Sequence, residues 1–184
     1  MSNGAGGLEA VDPDSGDINV VVDTPRGSAV KFKYDEEHGL LTIARFLPGG
    51  LVFPFDFGFV PGTRAADGDE SDAVLFMEGA AFPGCLVKAR LLGILEAGQR
   101  KKGRLVRDDR LIAVASKSSS FGRVRRLRDL GRETLDGIVR FFEASNRTEG
   151  RRFEALGFFG VPRARAALAR SLLMAGGGGR RQRS

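Results

Sequence analysis

Short β-type segments follow one another through the first two thirds of this chain. Their residues are β-branched and aromatic, or alternate between apolar and polar, and turn or charged segments separate them. Six such segments can be recognised, at residues 18–23, 30–34, 40–45, 73–77, 85–95 and 110–115. Short strands at this spacing predict a small closed barrel.

The pattern changes to a helical period after residue 120. Apolar residues then recur every three or four positions, at Leu127, Leu130, Leu135, Ile138, Val139 and Phe142. A second amphipathic stretch runs from Pro162 to Leu173. These patterns predict two C-terminal helices packed on the barrel, so the expected class is mainly β with α, an α+β fold.

Both ends of the chain lack periodic apolar positions. Residues 1–17 are rich in Gly and Asp, and residues 175–184 are a Gly run followed by arginines. We expect two disordered ends around one domain at residues 18–174, in a chain long enough to bury a core. The chain shows no apolar stretch that could span a bilayer and no signal-peptide pattern, which predicts a cytoplasmic protein without membrane contact.

Positive charge is concentrated in residues 88–128, which carry thirteen basic and three acidic side chains. Such a segment attracts anions, and nucleic acid is one candidate partner. Phe121 is the only aromatic residue there that could stack on a base. A solvated surface explains the charge at least as well.

Three aspartates lie within six residues, at Asp67, Asp69 and Asp72. Carboxylates crowded in this way repel one another, and hard divalent cations would neutralise them. A solvated acidic turn is the alternative for the segment taken alone. A calcium-binding EF-hand loop is disfavoured, because Asp72 replaces the glycine required at the sixth position and a strand-like segment follows.

The acidic segment belongs to an ordered set of motifs. Before it come a first strand ending at Asp23, Lys31 on the second strand, Arg45 on the third, and the aromatic stretch Phe53–Phe59. After it comes Asp-Asp-Arg-Leu-Ile-Ala-Val at residues 108–114. In this order the motifs resemble those of family I soluble inorganic pyrophosphatases, over nearly the whole ordered chain.

The resemblance implies a fold, a reaction and an assembly. The family fold is an OB-like five-stranded β-barrel with helices packed on it. Its reaction is the hydrolysis of pyrophosphate to two phosphates with Mg²⁺, and Mn²⁺ or another divalent cation could serve instead. Relatives form homo-oligomers, so a hexamer-type assembly is expected here.

The resemblance also assigns roles to individual positions. Asp69 matches the carboxylate that orients or deprotonates the attacking water. The positions that match metal ligands are Asp67, Asp72, which bridges, and Asp108. The positions that match phosphate-binding cations are Lys31, Arg45 and Arg110, the last standing where the family has Lys. A planar guanidinium binds oxygens in pairs, whereas an ammonium acts as a point charge.

Several family positions are substituted in this chain. Lys33 replaces a glutamate that serves the substrate-side metals, and a basic segment ending at Arg104 replaces a loop aspartate. Asp23 is one methylene shorter than the family's Glu, Phe57 lacks the hydroxyl of a Tyr, and Ser145-Asn146 replaces a Tyr-Lys pair. We expect the first two changes to weaken the sites for the additional metals, and the others to remove contacts with phosphate.

Two functions remain open at this point. In the first, the chain is a hydrolase in which Lys33 and Arg104 supply charge that additional metals would otherwise supply. In the second, it is a degenerate pyrophosphatase-fold protein that binds metal and phosphate, or nucleic acid through residues 88–128, with little turnover. Both keep Asp67, Asp72 and Asp108 as metal ligands.

Overall fold

A computed structural model describes residues 8–35, 38–101, 104–147 and 150–178. It contains nine strands, one short 3-10 helix at Leu127–Leu130 and two α-helices within these ranges. The elements in chain order are β1 (Ile18–Thr24), β2 (Val30–Asp35), β3 (Leu40–Phe46), β4 (Asp56–Val60), β5 (Ser71–Phe76), β6 (Leu86–Lys101), β7 (Arg104–Arg107), β8 (Arg110–Ala115), α1 (Arg132–Arg147), β9 (Arg152–Gly160) and α2 (Val161–Gly178).

Five strands close into a ring in the order β1-β4-β5-β8-β6, because β6 pairs back with β1. All neighbours in the ring are antiparallel except β5 and β8, which run parallel with Ala73 opposite Leu111. The hairpin β2-β3 forms a separate two-stranded sheet, and β7 and β9 both extend from the long strand β6. The predicted five-stranded, OB-like barrel is therefore confirmed.

The core consists of two clusters on opposite faces of the sheet. The first takes residues from all five ring strands, such as Val20, Leu75 and Ile94, and α2 adds Ala164 and Leu168 to it. The second packs the aromatic stretch before and within β4 against the apolar face of α1. Phe53, Phe55, Phe57 and Phe59 are all at least 95% buried.

Gly58 allows β1 and β4 to approach closely in the ring. A Cβ atom at this position would lie 2.0 Å from the carbonyl oxygen of Val21. Since backbone atoms cannot move aside as a flexible side chain can, the two strands would have to separate.

We expect Gly58→Ala to lower the free energy of unfolding by about 3 kcal/mol, through overpacking of a rigid site. Urea denaturation measures this change. Gly137→Ala is the matched control, because a Cβ atom there meets only Arg140 Nη2 at 3.9 Å, and alanine improves helix propensity by about 0.8 kcal/mol. Equal stability of the two variants would contradict the role of Gly58.

The helical pattern after residue 120 is interrupted once. Gly131 adopts a φ of 81° between the 3-10 helix and α1. A left-handed backbone at this residue ends the first segment, so the predicted single helix is split in two. The last strand, β9, lies between α1 and α2 and was not predicted from the sequence.

The described parts of the two ends are more ordered than predicted. Ala10 is buried, the Asn19 side chain donates to the Glu9 carbonyl at 2.8 Å, and Asp12 pairs with Lys88. These contacts hold residues 8–17 against the barrel, and α2 continues to Gly178. The other residues of the two predicted disordered ends, 1–7 and 179–184, lie outside the described residues.

No helix in the described ranges has the length and apolar character needed to cross a membrane.

Candidate active site

The acidic segment forms a tight loop between β4 and β5. The Asp67 side chain accepts a hydrogen bond from the Asp69 backbone at 3.2 Å, and the Ala65 N–H donates to the Asp69 carbonyl at 2.7 Å. Gly68 takes a φ of 95°, which lets the chain reverse between the two aspartates. Both carboxylates therefore line the same cavity.

Parallel pairing of β5 and β8 brings two more carboxylates to this place. Asp72 precedes Ala73 on β5, and Asp108 lies just before β8, in which Leu111 pairs with Ala73. Because parallel strands begin at the same end of the sheet, Asp72 and Asp108 become neighbours. Both line the cavity that the loop aspartates line.

The resulting acidic cavity has a volume of about 230 Å³. Its lining includes the four carboxylates predicted from the sequence, Asp67, Asp69, Asp72 and Asp108. Glu70 and Asp23, the latter at the end of β1, bring the carboxylates among its described lining residues to six. Asp23 is the most buried of those that lie outside the acidic loop. Its side chain is 6% exposed, and Oδ1 has no hydrogen-bond partner among the described residues. Burial raises the pKa of Asp23 to about 7, against the attraction of Lys31.

Arg110 is the counterion of this cavity and is itself buried, at 4% exposure. Its Nη1 and Nη2 donate to the two carboxylate oxygens of Asp108 at 2.5 and 2.8 Å, and Nη1 lies 3.5 Å from Asp72 Oδ2. The guanidinium carbon also lies 4.8 Å from the centre of the Phe142 ring. Arg110 is therefore held between carboxylates on one side and an aromatic ring on another.

Burial and neighbouring charge shift the pKa values of these carboxyl groups in different directions. Burial raises the pKa of Asp67 and that of Asp72, and the Asp108 carboxylate adds to both shifts. Burial also opposes ionisation of Asp108, but Arg110 and Gln99 outweigh it and lower its pKa. The ionised form is thus favoured at Asp108 and disfavoured by burial at Asp67 and Asp72.

The carboxylates of the acidic cavity are candidate metal ligands. Within the described residues, no three acidic, histidine or cysteine side chains surround a common point as metal ligands would. Arg110 instead holds Asp108 in a two-oxygen pair. The donors fit a hard divalent cation in their chemistry, since they are carboxylates that line a polar cavity.

A second cavity of about 250 Å³ adjoins the first and has the opposite charge. Four cationic side chains line it, Lys31, Arg45, Arg110 and Arg151. Lys31, Gln99, Arg110 and Arg151 line both cavities. An acidic and a cationic cavity thus meet along a shared wall.

The structure separates Arg45 from the acidic cavity. Lys31 and Arg45 pair across the β2-β3 hairpin, but Arg45 lines only the cationic cavity of the two. Its guanidinium donates to the Ser145 carbonyl at 3.0 Å, near the end of α1.

Phe57 is buried beneath the site, with Lys31 Nζ 5.1 Å from its ring centre. Phe57 therefore presents a ring face to a cation where the family has a hydroxyl.

Lys33 lies on the acidic side of the site. Its Nζ is 2.8 Å from Asp69 Oδ1, and this hydrogen bond raises the pKa of Lys33 against a partly buried setting. Both side chains are more than half exposed. The side chain of Arg104 lies outside the described residues.

Two residues of the shared wall were missed in the sequence analysis. Gln99 donates to Asp108 at 2.5 Å and to Asn146 at 3.3 Å. Arg151 follows α1 in a turn. Neither lies in a motif, and an uncharged Gln in a basic segment gives no local signal.

The basic side chains of residues 88–128 are engaged at different places in the fold. Lys88 pairs with Asp12, Arg100 pairs with Glu154, and Arg90 donates to backbone carbonyls.

Known proteins resemble this chain in sequence over most of its length. The profile of the inorganic pyrophosphatase family matches residues 20–174. The inorganic pyrophosphatase of Synechocystis is 34% identical over 149 residues, which are 79% of this chain and 84% of that protein. That of Gluconobacter oxydans is 39% identical over 131 residues, which are 69% and 72% of the two chains.

Solved structures give the same result for the fold. The inorganic pyrophosphatase of Thermus thermophilus aligns with a TM-score of 0.86 at 25% identity, over 95% of this chain and 99% of that one. The enzyme of Helicobacter pylori aligns with a TM-score of 0.84 at 31% identity, over 92% and 99%. By its sequence and its fold, this chain belongs to the inorganic pyrophosphatase family.

Proposed function

We propose that this chain hydrolyses inorganic pyrophosphate to two phosphates in the presence of Mg²⁺, with Mn²⁺ or another divalent cation as an alternative. The observation that carries the proposal is the shared wall between an acidic and a cationic cavity. Pyrophosphate is densely anionic, so an oxygen nucleophile reaches it only where fixed cations neutralise its charge. Family membership supports the same reaction.

The substrate would span the wall between the two cavities. Lys31 and Arg110 line both, so each can bind phosphate oxygens on the two sides of the bridging oxygen. Arg45 would bind the phosphate in the cationic cavity. The other phosphate would then face Asp69 across the acidic cavity.

Hydrolysis needs a water molecule and a group that takes its proton. The water oxygen bonds to one phosphorus while the bond from that phosphorus to the bridging oxygen breaks. The bridging oxygen leaves with the other phosphate, and the proton of the water passes to the Asp69 carboxylate. Asp69 suits this role because its side chain is 60% exposed and can return the proton to solvent.

A divalent cation would be held by Asp67, Asp72 and Asp108, with Asp72 as a bridge if two cations bind. When bound, it lowers the pKa of a coordinated water and neutralises phosphate charge. Asp23 would add an unpartnered buried oxygen to the same cavity. Lys33 would supply fixed positive charge beside Asp69, as Arg110 does beside Asp108.

The degenerate and nucleic-acid alternatives gain no support. The relatives described above carry the name of an active enzyme. Several cations of the basic segment are engaged within the fold, as the pairs of Lys88 and Arg100 illustrate.

Phosphate release from pyrophosphate, measured against Mg²⁺ concentration, tests the proposal. We expect release that saturates with Mg²⁺ and stops when a chelator is added, because carboxylates and fixed cations alone do not activate the water sufficiently. The control is a phosphate monoester at equal concentration, which lacks the second phosphate and should be a poor substrate. Mg²⁺ and phosphate binding without any release would instead support the degenerate alternative.

We further propose a cytoplasmic homo-oligomer of the hexamer type. The support is family resemblance together with exposed apolar side chains on the β2-β3 hairpin, where Leu40, Ile43 and Phe46 are each more than half exposed. Such a group of side chains is typical of a surface that binds another protein.

A further inference from the structure

The lining of the cationic cavity is cationic and amide in character. No carboxylate is among the described residues that line it, whereas four cationic side chains and the amides of Gln99 and Asn146 are. All of these side chains can donate hydrogen bonds, so the lining suits an anionic ligand.

Contacts within the fold hold three of these cations in position. Arg110 is paired with Asp108, Arg45 donates to the end of α1 at Ser145, and Lys31 lies over the Phe57 ring. Their positions are set by β8, β3 and β2 respectively.

Arg151 comes from a different part of the chain. It lies between α1 and β9, and its N–H donates to the Asn146 carbonyl at 3.2 Å. The next two residues fix the backbone on the other side. Arg152 lies opposite Arg100 in the β6-β9 strand pair, and Phe153 is 95% buried. A fixed backbone thus presents an exposed Arg151 side chain to both cavities.

We propose that Arg151 is a substrate-binding residue, which binds pyrophosphate at the wall between the acidic and cationic cavities. This inference rests on the proposed function for the identity of the anion. A guanidinium can donate two parallel hydrogen bonds to phosphate oxygens, which suits a residue that faces both halves of the substrate. Arg151 then supplies a cation from the segment after α1, where its backbone contacts the Asn146 carbonyl.

The test compares Arg151→Gln with Arg152→Gln. Arg152 is also exposed and is the next residue in the chain, at the start of β9, but it lines neither cavity. Calorimetric binding of methylenediphosphonate, an analogue that cannot be hydrolysed, is the first measurement. We expect Arg151→Gln to weaken binding roughly 10-fold to 100-fold, as for a lost charge-assisted hydrogen bond, and Arg152→Gln to stay within about 2-fold of the parent chain.

Steady-state kinetics is the second measurement. Arg151→Gln should raise KM for pyrophosphate by about 10-fold or more, and Arg151→Lys should recover only part of the loss because an ammonium lacks the planar fork. Thermal unfolding should be the same for both Gln variants, so a folding defect would be seen directly.

The outcomes separate this inference from the proposed function. Equal analogue affinity in the two Gln variants would overturn the role of Arg151, even if the parent chain is active. Absence of phosphate release by the parent chain would overturn the proposed function, while analogue binding would still decide whether Arg151 binds diphosphate anions.

Discussion

Replacing Asp69 by asparagine is expected to lower kcat by roughly 10² to 10⁴-fold while leaving the fold intact. Asparagine has the same shape and can still accept a hydrogen bond from Lys33, but it cannot take the proton of the attacking water. The Asp69 side chain is 60% exposed. The loop is held by the Asp69 backbone, through Ala65 and the Asp67 carboxylate.

Steady-state phosphate release and thermal unfolding, measured together, decide this prediction. Asp136→Asn is the control, because Asp136 is an exposed aspartate on α1 whose only described ion pair is with Arg132. The control should keep the activity of the parent chain. The assigned role of Asp69 is wrong if Asp69→Asn retains kcat within about 3-fold of that control.

Removing the charge of Arg110 should cause the largest loss of stability in the site. Arg110→Met leaves the partly buried carboxylates of Asp108 and Asp72 without their shared cation. Breaking a buried ion pair by deleting one partner costs about 3 to 5 kcal/mol, because the remaining charge is desolvated and uncompensated. Urea denaturation should show this loss. The free energy of unfolding of Arg110→Lys should lie between those of the parent chain and Arg110→Met, because an ammonium cannot pair with both oxygens of Asp108 as a guanidinium does.

Added Mg²⁺ gives the Arg110 experiment a second readout. A cation that binds the same carboxylates stabilises the folded state by mass action, so Mg²⁺ should restore more stability to Arg110→Met than to the parent chain. Arg163→Met is the control, because Arg163 also forms a two-point pair, with Glu96, but is 56% exposed, and Arg107 would still pair with Glu96. Similar losses in both variants would contradict a special role for Arg110.

Much of the fold was predictable because its strands carry local signals. β1, β5 and β8 are mainly apolar and are buried along their whole length or most of it. β9 was missed for the opposite reason: of its nine residues only Phe153 is fully buried, so no alternation marks it. Its pairing with β6, a contact distant in sequence, determines its structure.

The candidate site was predictable where chemistry and motif coincide. Asp67, Asp69, Asp72 and Asp108 were predicted together and line one cavity. Arg45 was predicted beside them but lines the neighbouring cavity, since a hairpin partner of Lys31 can point to the end of α1.

The sequence does not reveal the pairing of the site's own cations with its own carboxylates. Arg110 is two positions from Asp108, a spacing that strands and turns use in many ways. Its two-oxygen pair with Asp108 depends on burial among three aromatic rings contributed by β4, α1 and β9. Contacts that three separate elements make with one side chain leave no local pattern in the sequence.

The parallel pair β5-β8 has a consequence for the life of the newly made chain. Asp72 and Asp108 meet only after β8 has been synthesised and has found β5 across a long intervening segment. Contacts between distant parts of a chain form late, because the entropy of closing the loop must be overcome first. The acidic loop is therefore synthesised before its partner Asp108. Hydrolytic activity would be expected only after β8 has paired with β5 and the barrel has closed.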